Sequence, residues 1–203
     1  MSSRHILSGP NIALIAVFAA FIAASTLVPE VTLAFGVPFS LQTLAVVLAG
    51  LCLGPWRGAA AVTLYVVVGA AGLPIYANNA AGLAILAGPT GGFLVGFIPA
   101  AWLVGYVAVL VRKRIRLSLP ALIIAGLVSI PVVYAVGIPW LSQITGLTLG
   151  QATVAMSPFM IGDAIKVVIA ASLASIIHRA YPQLMPANPV QKTAVDVEEA
   201  ATA

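Results

Sequence analysis

The sequence predicts an all-α membrane protein of six transmembrane helices with both termini cytoplasmic. Three observations predict it. The 203 residues are 62% apolar and only 7% charged, with a mean hydropathy of +1.13, where a soluble domain is about 45–50% apolar and about 25% charged. Apolar runs recur between Gly and Pro breaks, and helical spans of about 20 residues fit such a chain five to seven times. Finally, the basic residues alternate with the runs so that eight of the nine fall on one side.

The first span runs from about Asn11 to Val28, after a polar start that does not read as a cleavable signal peptide. Val31 to Ser40 is a connection. The second span is Leu41 to Leu53, closed by Gly54 and Pro55, and the third is Gly58 to Ala71, closed by Gly72 and Pro74. Both are short for a straight crossing of a roughly 30 Å core. A long connection, Leu73 to Thr90, precedes a fourth span over Gly91 to Val111 and a fifth over Leu119 to Gly137. A second long connection is expected over Ile138 to Ser157, and the sixth span over Pro158 to His178. Residues 1–180 then form one transmembrane domain. From 181 to 203 the composition turns polar and proline-rich, which predicts a disordered cytoplasmic tail.

Six spans place Arg4, Arg57, Arg112, Lys113, Arg114, Arg116, Arg179 and Lys192 on one face. The positive-inside rule makes that face cytoplasmic. The ninth basic residue, Lys166, lies inside the sixth span. The basic residues flank span ends and do not form a soluble basic face, which argues against a nucleic-acid partner. The partner they imply is the lipid bilayer of a cell membrane.

Asp163 and Lys166 are the chemistry-bearing pair. At i and i+3 they share a helix face. An unpaired charge in the bilayer costs about 3 kcal/mol or more, so such groups pair, face the interior and mark a ligand or ion path. A purely structural ion pair is the bland reading. Counted from Pro158, the pair lies roughly 8–12 Å from the outer end of its span. That depth suits a pocket open to the exterior. In the first long connection, Asn78 and Asn79 offer amide donors and acceptors for a neutral polar ligand, or serve as turn residues. Tyr76 and Trp140 are either interfacial anchors or platforms for a flat ring. Ala16 and Ala20 sit at four-residue spacing, a small face that admits a close helix partner. Cys52 is a single cysteine, and His5 and His178 are isolated, so neither a disulfide nor a metal site is expected. No nucleophile–base constellation or ATP-binding sequence appears, so an enzyme is not expected and no cofactor is called for.

Five segments occur in a recognisable order: Val37-Pro-Phe-Ser-Leu-Gln-Thr-Leu, Leu51-Cys-Leu-Gly-Pro-Trp-Arg-Gly, Gly69-Ala-Ala-Gly-Leu-Pro-Ile-Tyr-Ala, Gly88-Pro-Thr-Gly-Gly and Gly162-Asp-Ala-Ile-Lys. They resemble the BioY family of biotin transporters, the substrate-binding S components of energy-coupling factor (ECF) transporters. The resemblance covers about Asn11 to Arg179. It implies a six-helix protein that binds biotin from the exterior, with Asp163 and Lys166 at the biotin head. The family's loop asparagine corresponds to Asn78 or Asn79, and Trp140 matches less securely. Ala16 and Ala20 match the family's docking face for a transmembrane coupling protein, which full transporters combine with two ATPase subunits. An S component for another vitamin and a stand-alone or ion-coupled carrier are the alternatives.

Overall fold

The computed structural model describes residues 9–28, 31–32, 38–114 and 118–184, with no side-chain description for 31–39 and 113–114. Its helices are α1 (Gly9–Ala24), α2 (Gln42–Leu53), α3 (Pro55–Ala70), α4 (Leu83–Ala87), α5 (Gly91–Arg114), α6 (Leu119–Leu127), α7 (Ser129–Thr145) and α8 (Leu149–Ala180). Two short strands, β1 (Val31–Thr32) and β2 (Pro38–Phe39), pair antiparallel between α1 and α2.

The middle of the bundle is α2. Every residue of it but Leu44 is buried, which explains why its sequence is apolar all round. It packs against α5, α8 and α3, while α5 also lies along α7 and α3. Glycines permit two of these close approaches. A side chain at Gly50 would meet the carbonyl of Ala101 at 2.7 Å, and one at Gly105 would meet the backbone of Gly54 at 2.3 Å. Gly54 itself turns between α2 and α3 at φ 77, a left-handed value natural to glycine. Pro55 then opens α3 at a position where its missing N–H costs nothing.

Leu119–Thr145, Gly91–Arg112 and Leu149–Ala180 are long and apolar enough to cross a membrane. Gly9–Ala24 and Gln42–Leu53 are shorter apolar helices. The first four expected spans fall on α1, α2, α3 and α5. Two expectations are corrected. The fifth span extends to Thr145 as α6 and α7, broken at Val128, where the Ser129 hydroxyl donates to the Gly126 carbonyl. The expected long connection over Ile138 to Ser157 is helical apart from Gly146–Thr148. Pro158 does not start the last helix. Thr148 does, through a capping box with Gln151. Proline is tolerated inside apolar membrane helices, where neighbours make good the lost bond. Trp140 therefore stands on α7, not in a loop.

Arg57, Arg112 and His178 gather at one end of the bundle. The Arg57 guanidinium donates to the carbonyls of Leu53 and Leu184 and to the Asn11 side chain. Arg112 donates to the Pro182 carbonyl, and the His178 ring bonds the Leu51 carbonyl. Residues 181–184, expected in the disordered tail, are tied to this end; 185–203 lie outside the described residues, as do Arg4, Arg116 and Lys192.

Candidate functional site

The helix α8 has two faces. Ile161, Ile165 and Val168 point outward, while Met156, Phe159, Asp163 and Lys166 line an internal cavity. Their spacing of three and four residues keeps all four on one stripe. The cavity encloses about 210 Å³ and is walled by α2, α5, α7, α8 and the connection after α3. Its surface is mostly apolar, with Phe93 and Phe97 from α5 and Val133 from α7.

Asp163 and Lys166 are 6% and 5% exposed. Lys166 Nζ donates to Asp163 Oδ1 at 3.0 Å. The other carboxylate oxygen, Oδ2, accepts from the Tyr134 hydroxyl at 2.8 Å. Each carboxylate oxygen keeps further acceptor capacity, since a carboxylate offers roughly four lone-pair sites. The result is a neutralised, anchored acceptor at the cavity wall. Because α8 begins at Leu149, Asp163 and Lys166 stand 14 and 17 residues along it (163 − 149 and 166 − 149). That is about 21 and 26 Å from its first residue at 1.5 Å per residue, so the pair sits near mid-helix and not close to an end. Tyr134 is braced by Phe93, edge-on at 5.9 Å. Phe93 in turn fills the space that Gly137 leaves, where a Cβ would come within 2.4 Å of its ring.

A second polar wall faces the cavity at the amino end of α2. Gln42 Nε2 donates to the Tyr65 hydroxyl at 2.6 Å, and Ser40 Oγ donates to Gln42 Oε1 at 3.1 Å. Tyr65 meets Tyr76 edge-on at 5.7 Å. The Tyr76 hydroxyl donates to the Val66 carbonyl, and its ring lies where a side chain at Gly69 would be. Tyr76 is thus buried and lines the cavity. It pins the connection that carries Asn78 and Asn79. Both asparagines are left-handed at φ 56, a conformation asparagine tolerates. Both asparagines are exposed; Asn78 borders the cavity and Asn79 does not.

Trp140 is not brought to the cavity. It is 38% exposed and its indole N–H donates to the Gly88 carbonyl at 2.9 Å, clamping α7 to the start of α5. Its side chain occupies the space beside Gly92. Ala16 and Ala20 are exposed on α1, with Ala19 turned into the core.

Sequence reasoning missed Tyr134, Gln42, Ser40 and Thr43 as cavity residues. Gln42 carried a signal, being a lone amide in an apolar run. Tyr134 carried none, because its partner is 29 residues away on another helix.

The chain matches the BioY family model over residues 1–183. It is 44% identical over 187 residues to the biotin transporter BioY of Rhodobacter capsulatus, covering 88% of this chain and 98% of that protein. It is 39% identical over 187 residues to the biotin transporter BioY of Rhizobium etli, covering 90% and 100%. Among solved structures, it shares the fold of the S-component for biotin from an ECF-type ABC transporter. The TM-score is 0.79 at 24% identity, over 88% of this chain and 95% of that one.

Proposed function

Because the chain belongs to the BioY family, we propose that it is the biotin-binding S component of an ECF-type transporter and serves biotin uptake. It is a transport protein, not an enzyme. The observation that carries the substrate reading is the buried Asp163–Lys166 pair on the wall of a mainly apolar cavity. Biotin's ureido ring has two N–H donors and one carbonyl, and its thioether ring and aliphatic arm are apolar. Asp163 accepts from a ureido N–H in a charge-assisted bond. Lys166 or the Asn78 amide donates to the carbonyl. Asn78 is preferred to Asn79 for this role, since it borders the cavity. Trp140 and Tyr76 support the site without leading it, one holding α7 to α5 and the other fixing the asparagine loop.

In this reading six spans cross the cell membrane, with α6 and α7 counted as one, and both termini are cytoplasmic. The single basic end supports that orientation. Biotin then arrives from the exterior. The exposed alanines of α1, Ala16 and Ala20, dock a transmembrane coupling protein, which brings two ATPase subunits. An ion-coupled carrier is disfavoured. Asp163 is the one acid among the described residues, and it is already committed to Lys166 and Tyr134.

The test is a titration of the purified protein with biotin, other vitamins, desthiobiotin and a biotin blocked at both ureido nitrogens. Biotin and desthiobiotin should bind. A site built to accept a hydrogen bond rejects a ligand lacking the donor by a large factor. Equal binding of the blocked compound would end the assignment of Asp163 to the ring, and preferential binding of another vitamin would end the biotin reading.

A further inference from the structure

The amino end of α2 opens on the cavity without an acceptor to complement it. Ser40, Gln42 and Thr43 line the cavity there. The first four N–H groups of any helix lack intrahelical partners and carry the positive end of its dipole. In α2 the Gln42 N–H reaches Ser40 Oγ at 3.3 Å. The next helical bond of the chain runs from Ala45 to Leu41. Among the described residues nothing accepts from the N–H of Thr43 or Leu44. The position before the helix gives no side-chain cap, and its first turn holds no acidic residue.

A second observation points to a ligand here. Thr43 is 9% exposed, lines the cavity, and its hydroxyl has no hydrogen-bond partner among the described residues. A threonine in a helix ordinarily returns its hydroxyl to a carbonyl three or four residues back, as Thr63 and Thr145 do in this protein. One amide hydrogen of Gln42 is also left over after its bond to Tyr65. The cavity wall at this end thus carries hydrogen-bond donors that no acceptor among the described residues meets.

The other polar wall does not suit an anion. Lys166 there is ion-paired, and Asp163 would repel a second carboxylate. We propose that the amino end of α2, through Thr43 and the N–H groups of its first turn, seats the carboxylate of the bound ligand. The proposal rests on the reading of that ligand as biotin, whose ureido ring then faces Asp163 while its acid arm ends at Thr43. The site reads both ends of one molecule from two different helices.

The experiment compares biotin with its primary amide, which keeps the rings and the arm but loses the charge. Both are titrated against the detergent-solubilised full chain and its Thr43→Val, Thr43→Ala and Thr43→Ser variants. The wild type should prefer biotin over the amide by about tenfold or more, the size of a charge-assisted bond at a helix end. Thr43→Val and Thr43→Ala should each shrink that preference several-fold, because the hydroxyl's bond to a charged carboxylate is stronger than its bond to the amide's carbonyl. Thr43→Ser should restore the preference. A wild-type ratio near one overturns the proposal irrespective of any variant, as does an unchanged ratio in both hydroxyl-free variants. Failure of the wild type to bind either compound overturns the biotin reading itself.

Discussion

Tyr134 on α7 donates its hydroxyl to Asp163 on α8 across 2.8 Å, on the oxygen that Lys166 leaves open. Both carboxylate oxygens are therefore fixed before a ligand arrives. A preorganised acceptor avoids the ordering cost that a mobile side chain would add to binding.

Replacing Asp163 with Ala removes that acceptor and leaves Lys166 without its counter-charge. Breaking a buried pair typically costs about 3–5 kcal/mol. If that cost is expressed in binding, biotin affinity drops more than about a hundredfold, since every 1.4 kcal/mol is tenfold. Titration calorimetry on folded variant protein measures it. Near-normal affinity would remove Asp163 from the ligand set.

Tyr134→Phe keeps the ring against Phe93 and deletes only the hydroxyl. A hydrogen bond to a charged group is worth about 1.5–3 kcal/mol, so affinity should fall by roughly ten- to a hundredfold, less than for Asp163→Ala. The check is the same titration. A larger loss from Tyr134→Phe than from Asp163→Ala would mean that the tyrosine itself is the principal ligand contact.

Ala16→Trp, or Ala20→Trp, should leave biotin binding intact and lower uptake in whole cells. A large ring on an exposed small face keeps a partner helix at a distance. Parallel assays of binding and uptake separate the outcomes. Equal loss of both would indicate packing within the chain, and loss of neither would show that the face makes no required contact.

A cysteine placed at residue 114, in a Cys52→Ala background, should react with a membrane-impermeant maleimide only after the cells are opened. Labelling of intact cells would reverse the proposed orientation.

The sequence made the helices and the charged pair legible for one physical reason. Lipid-facing and buried positions are both apolar, so breaks and charges stand out. Asp163 and Lys166 were conspicuous against that background. The same uniformity hid other features. Pro158 looked like a helix start, although the Thr148–Gln151 box was the true one. The break at Val128 had only Ser129 and Pro131 to announce it. Trp140 lay beyond an apparent helix end at Gly137 and Pro139, yet α7 runs through both. Tyr134 could not be found at all, since a tyrosine in an apolar helix reads as packing until its partner is in view.

One guanidinium joins the beginning of the first helix to the stretch that follows the last. Arg57 holds Asn11, near the start of α1, and the carbonyl of Leu184, just past α8, from a single position at the α2–α3 turn. The first helix therefore cannot slide along its own axis without rupturing those bonds or dragging the end of α8 with it. The helix that carries Asp163 and Lys166 is thus tied, through Arg57, to the helix that presents Ala16 and Ala20.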